Sequence, residues 1–152
     1  MGLGGVSHIA IGVRDMDRSL AFYRDLLGMR VTRDQQERTG RSAMYAREDK
    51  SGRRAVQLRW EDDPEAPFLV LSEFPATSGE AIRLDQVGIH HVALWVSDLE
   101  QRADKLRAAG VPFVLDPIEV DAAGYDGAQG ERVMTCLFQD PDGIILQLDQ
   151  RV

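Results

Sequence analysis

One repeat constrains this chain more than any other feature. Residues 88–100, GIHHVALWVSDLE, restate residues 5–17, GVSHIAIGVRDMD, as the same order of small, apolar, His, Ala, Val and Asp positions. His91 follows His8 by 83 residues, as Asp98 follows Asp15, and the glycines that close the two following helices, Gly28 and Gly110, are 82 apart. A register kept through a strand, a helix and a helix stop indicates two copies of one supersecondary unit. The reading assigns residues 1–74 to a first βαβββ module, 75–87 to a linker and 88–152 to a second module, the two together making one domain.

Alternation fixes the faces. In residues 5–13, Ser7, Ile9, Ile11 and Val13 share the greasier face, which should pack on a helix, leaving Val6, His8, Ala10 and Gly12 opposite. In the second copy, Ile89, His91, Ala93 and Trp95 share one face, and His90, Val92, Leu94 and Val96 share the other. Asp15 is placed as an N-cap, with Leu20, Tyr23 and Leu27 at helical spacing before Gly28. Ser97 and Glu100 have capping-box spacing, and Leu99, Ala103 and Leu106 form the buried stripe of a second helix with an Asp98–Arg102 pair. Strands are expected over about 29–38, from Arg41 after a turn at Thr39-Gly40, over 53–61 and over 68–74. VPFVLDPIEV is a further strand, residues 121–131 a long mobile loop, and RVMTCLF and GIILQLDQ a hairpin through the turn DPDG.

Composition narrows the function classes. A net charge of −7 over 152 residues, with scattered Lys and Arg, argues against a nucleic-acid surface. The N-terminus lacks a signal-peptide pattern and no stretch approaches the roughly 20 apolar residues of a membrane span, so the reading expects no membrane partner. Val6 stands where a myristoylation signal requires Ser or Thr. The single cysteine, Cys136, lies in an apolar run and reads as buried and inert, which fits a reducing cytoplasm.

With IHHVALWVSDLE, its copy SHIAIGVRDMD, the YRDLLGM helix end and the QDPDGIILQL hairpin in order, the chain resembles the vicinal oxygen chelate superfamily. That group includes glyoxalase I, methylmalonyl-CoA epimerase, extradiol dioxygenases, and fosfomycin- and bleomycin-resistance proteins. The resemblance implies an α+β fold of two tandem βαβββ modules forming a curved mixed sheet around a cup-like cavity. It also implies a homodimer acting on a small molecule.

In metal-using members of the family, the first and last strands of each module supply ligands. Carried over by position, the resemblance makes His8 and His91 the first-strand ligands and Gln147 the last-strand ligand of module two, where the family commonly has Glu. The matching position in module one falls on Val70, which cannot ligate; sliding that strand would bring in Glu73 or, from the preceding strand, Gln57, and Glu73, of opposite parity, could serve only through a bulge or a different alignment. Fe, Ni, Zn or Co would suit two imidazoles and an amide. Trp95, sharing parity with His91, and Tyr125, in the glycine-rich loop, are candidate substrate contacts. His90 reads as structural.

Two function classes follow. One is a metal-dependent lyase, isomerase or dioxygenase in which the ion polarises paired substrate oxygens. The alternative is a metal-free protein that sequesters a small molecule, similar to bleomycin-resistance members. His8 and His91 favour the first, and the missing carboxylates at 70 and 147 favour the second.

Overall fold

The computed structural model describes residues 4–37, 52–75 and 77–152. The chain divides into two compact units, Met1–Gly79 and Glu80–Val152, and the division falls within the segment read as a linker. Among the described residues each unit carries one four-stranded mixed sheet, so the fold is α+β with two open sheets and few helices.

In the first unit, β1 (His8–Gly12) leads into α1 (Met16–Leu20), followed by β2 (Arg30–Glu37), β3 (Arg53–Arg59) and β4 (Phe68–Glu73). The sheet order is β1-β4-β3-β2, with β1 parallel to β4 and the other pairs antiparallel. The second unit repeats this as β5 (His91–Trp95), α2 (Leu99–Ala108), β6 (Phe113–Asp121), β7 (Arg132–Gln139) and β8 (Ile145–Arg151), ordered β5-β8-β7-β6 with β5 parallel to β8. The strand expected from Arg41, with its turn at Thr39-Gly40, lies outside the described residues.

The alternating faces are as the sequence implies except at Ser7, which is exposed although alternation assigns it to the packed face with Ile9, Ile11 and Val13. Ile11 and Val13 are buried in the first unit, while His8, Ala10 and Gly12 are exposed. Asp15 caps α1 by accepting from the Arg18 N–H at 2.9 Å, and Leu20, Tyr23 and Leu27 are all buried. Beyond Leu20 the helix widens into a π-helical stretch, Ala21–Leu26, in which the Leu27 N–H reaches back to Phe22 at 2.9 Å. The chain then turns at Gly28, whose φ of 79° is a backbone state that favours glycine. In the second unit Leu99, Ala103 and Leu106 are buried against the sheet, and Arg102 pairs with Asp98 at 2.6 Å.

One expected cap is corrected. The N-cap of α2 is Asp98, without a side-chain cap bond, so the Ser97–Glu100 capping box does not form. The first-turn N–H of Leu99 instead donates to Gln150 Oε1 on β8 at 2.7 Å. In the first unit Glu73 on β4 does the same for Met16 at 3.2 Å. A helix end needs its free N–H groups satisfied, and here the last strand of each module does it.

Residues 121–131, read as a long mobile loop, contain a short 3-10 turn. Ala122–Tyr125 form a 3-10 turn with Ala122 fully buried, and Asp121 accepts from the Ala123 N–H at 2.8 Å. The Ala122 N–H donates to Glu131 O and the Gly127 N–H to Ala122 O, each at 3.0 Å, which closes the segment on itself. The DPDG turn forms as expected: Asp140 accepts from the Asp142 and Ile144 N–H groups, both at 2.8 Å.

Candidate functional site

The parallel pairs set which last-strand residue stands beside each histidine-bearing strand. His8 is in register with Phe68 and Ala10 with Val70; His91 is in register with Ile145 and Ala93 with Gln147. Val70 and Gln147 are therefore equivalent positions, and one face of the second unit carries His91, Ala93, Trp95, Gln147 and Asp149. Glu73 has the opposite parity and caps α1, so no slip brings it to the histidine face. Gln57, in register with Val70 across β3 and β4, does share the face of His8.

Each histidine has one ring nitrogen engaged by the residue just before it. Ser7 Oγ lies 3.1 Å from His8 Nδ1, and His90 Nδ1 lies 2.8 Å from His91 Nδ1. Ser7 and His90 are themselves equivalent positions in the repeat. With Nδ1 taken, Nε2 is the nitrogen each histidine has available, and a partner on Nδ1 is what orients a ligating imidazole. The two rings also differ in surroundings: His8 stacks on Phe68 at a centroid distance of 5.3 Å, whereas His91 lies 4.8 Å from the His90 ring. His90 is thus a contact of His91 rather than a remote residue, which strict strand alternation does not anticipate because His90 precedes the first strand residue.

Gln147 sits in a hydrogen-bonded cluster. Its Nε2 donates to Tyr125 Oη at 3.0 Å and to Asp149 Oδ1 at 2.8 Å. Asp149, only 2% exposed, also accepts from Tyr125 Oη at 2.9 Å and Thr135 Oγ1 at 2.7 Å. Burial pushes the Tyr125 phenol above its ordinary value. Trp95, 54% exposed, lies 5.5 Å from the Tyr125 ring, and the Arg151 guanidinium stands 5.0 Å over the indole. Three of the sequence candidates, Trp95, Tyr125 and Gln147, therefore gather on one face of one unit, and Tyr125 enters through its hydroxyl as well as its ring.

The sequence reading passes over Asp149. The alternation that places Gln147 on the histidine face places Asp149 there too, two residues on, and this is the available signal. In the first unit the equivalent residue is Ser72, whose Oγ receives a bond from Arg53 at 2.9 Å. Arg53 in turn pairs with Glu37 at 2.6 Å, holding the Glu37 carboxyl below its usual range.

The donor set suits a borderline transition ion one residue at a time: imidazole Nε2 from His8 and His91, and the amide Oε1 that the Gln147 hydrogen bonds leave free. Among the described residues no three His, Cys, Asp or Glu side chains form a metal-holding group. Such a site would have to count Gln147 as a ligand.

Comparison with known proteins bears on the family and the fold. The model of the Glyoxalase/Bleomycin resistance protein/Dioxygenase superfamily matches residues 5–148. The ethylmalonyl-CoA/methylmalonyl-CoA epimerase of Cereibacter sphaeroides is 29% identical over 97% of this chain and 98% of its own. A probable lactoylglutathione lyase from Synechocystis is 26% identical over 94% of this chain and 92% of its own. The crystal structure of a glyoxalase family protein from Bacillus cereus shares the fold with a TM-score of 0.75 at 16% identity, covering 100% of this chain and 97% of that one. On the match over residues 5–148 and the paired βαβββ units, the chain belongs to the Glyoxalase/Bleomycin resistance protein/Dioxygenase superfamily.

Proposed function

We propose that this protein is a metal-dependent enzyme of the isomerase or lyase kind, acting on a small carbonyl compound. In this reading His8 and His91 would hold one divalent transition ion through Nε2, with Gln147 as a further ligand through Oε1 and no donor at Val70. The observation that carries the reading is the matched treatment of the histidines: in both modules the preceding residue occupies Nδ1 and leaves Nε2.

The ion, when bound, supplies Lewis-acid polarisation of a substrate carbonyl oxygen. The chain's own residues would hold the ion and the substrate. His8 and His91 anchor the ion, the Gln147 amide completes its protein ligands, and Trp95 with Tyr125 forms a ring wall for the substrate. Gln147 is a poor proton acceptor, so its role is ligation and not base catalysis. A dioxygenase reading is weaker, because the iron triad of that chemistry uses a carboxylate where this chain has Gln147.

The named relatives are an epimerase and a lactoylglutathione lyase, and chemistry of either kind moves a proton next to a carbonyl. The reading is tested by following deuterium incorporation at the α-carbon of a branched malonyl thioester in D2O, with Co, Ni, Zn or Fe added. Metal-dependent exchange that disappears in His91→Ala is the expected result. Tight binding of small molecules by the metal-free protein, with no turnover of any enolisable carbonyl compound, would instead support the sequestering function that Val70 and Gln147 favour.

A further inference from the structure

We propose that Asp149 is a positioning residue that fixes the Gln147 amide with its oxygen free to ligate and lends that oxygen part of its negative charge. The proposal rests on the reading of Gln147 as a metal ligand. It begins from a cost: Asp149 is almost fully buried, and among the described residues no Lys or Arg forms an ion pair with it. Three neutral donors, Tyr125, Thr135 and Gln147, converge on its Oδ1 instead. A buried carboxylate without a cation is expensive, and a chain of net charge −7 gains nothing from one more anion. A cation held on the far side of the Gln147 amide would offset that charge.

The hydrogen-bond arithmetic fixes the amide. The Tyr125 hydroxyl spends its proton on Asp149, so its oxygen is an acceptor toward Gln147. Asp149 is an acceptor as well. Both neighbours of the amide end therefore require its NH2 group, and a flipped amide would set Oε1 against a carboxylate oxygen. Oε1 is left pointing out of the cluster. Donation from Nε2 to a carboxylate also draws electron density onto Oε1, much as a carboxylate behind a ligating histidine strengthens that ligand. Asp149 in this way stands in for the anionic ligand that position 147 lacks. Module one supports the pairing by contrast: Val70 has no ligand atom to orient, and the position after next is Ser72, not an acid.

The test is Co(II) titration, read by calorimetry and by the visible absorption of the bound ion, on wild type, Asp149→Asn, Gln147→Glu/Asp149→Asn and His91→Ala. Asp149→Asn should weaken Co(II) binding by about 10- to 100-fold. The double exchange should recover it, because the amide introduced at position 149 can then donate to a carboxylate at position 147, and this rescue separates positioning from a general loss of fold. The Gln147 side-chain amide signals in a 15N–1H spectrum give a metal-free readout: slow exchange in the wild type, lost in Asp149→Asn. If Asp149→Asn binds Co(II) as the wild type does while His91→Ala does not, the positioning role is overturned and the metal site stands. If wild type and His91→Ala bind alike, the metal reading is overturned. The charge-lending role falls with it, and unchanged Gln147 amide exchange in Asp149→Asn would overturn the orientation as well.

Discussion

At the residue scale, side chains read by parity are those whose strand neighbours hold them to one face. Trp95, placed by alternation, and Gln147, placed by the family resemblance, share a face because β5 and β8 are regular and in parallel register. His90 and Tyr125 lie outside the strands, where the alternation that set His90 opposite His91 no longer holds: His90 reaches the His91 ring and Tyr125 the Gln147 amide. Cys136 shows the opposite case, a residue whose apolar sequence context is sufficient. Burial pushes its thiol up to about 11, so only a small fraction is thiolate at pH 8. Ellman's reagent should leave the native protein unmodified at that pH and titrate one thiol in denaturant; rapid modification of the native protein would contradict the buried placement.

At the element scale, helices were readable from spacing and stops, while their caps were not. A capping box is a local signal, and Ser97 with Glu100 satisfies it, yet the Leu99 N–H is satisfied from Gln150, 51 residues away. The same holds for Met16 and Glu73, 57 residues apart. Such caps appear only once strand register is known. Gln150→Ala should therefore cost about 1 kcal/mol in urea denaturation, in the range of a lost N-cap, whereas Ser97→Ala should stay within about 0.5 kcal/mol of wild type. Equal effects would return the cap to Ser97. On β2, hydrogen bonding to Arg53 is the main cause of the low Glu37 pKa, and Arg54 acts likewise on Asp34. A carboxyl with a depressed folded pKa contributes stability above its unfolded value, and that contribution is lost as pH falls through the folded one. Glu37→Gln should accordingly flatten the acid side of the stability–pH curve, below the ordinary carboxylate range, and leave the slope near neutrality unchanged. A steeper acid limb would reverse the sign of that pair.

At the scale of the whole molecule, the repeat specified the most and the fourth ligand the least. An offset of 83 residues was enough to anticipate two βαβββ units with one topology. It could not say what stands in for a donor at Val70 in the proposed site, because a repeat carries topology and not the identity of each side chain. No helix among the described residues is long and apolar enough to cross a membrane. By analogy with the superfamily, two copies of the chain should pair, giving a light-scattering mass of twice 16.9 kDa at micromolar concentration; a stable mass of 16.9 kDa would rule the pairing out. The proposal that His8, His91 and Gln147 hold one divalent ion is tested most directly by metal stoichiometry under saturating Ni, Co or Zn. The account predicts one ion per chain in the wild type, with His8→Ala and His91→Ala each losing it, so that neither module holds the ion alone. Equal uptake by wild type and both variants, or loss in only one of them, would contradict it.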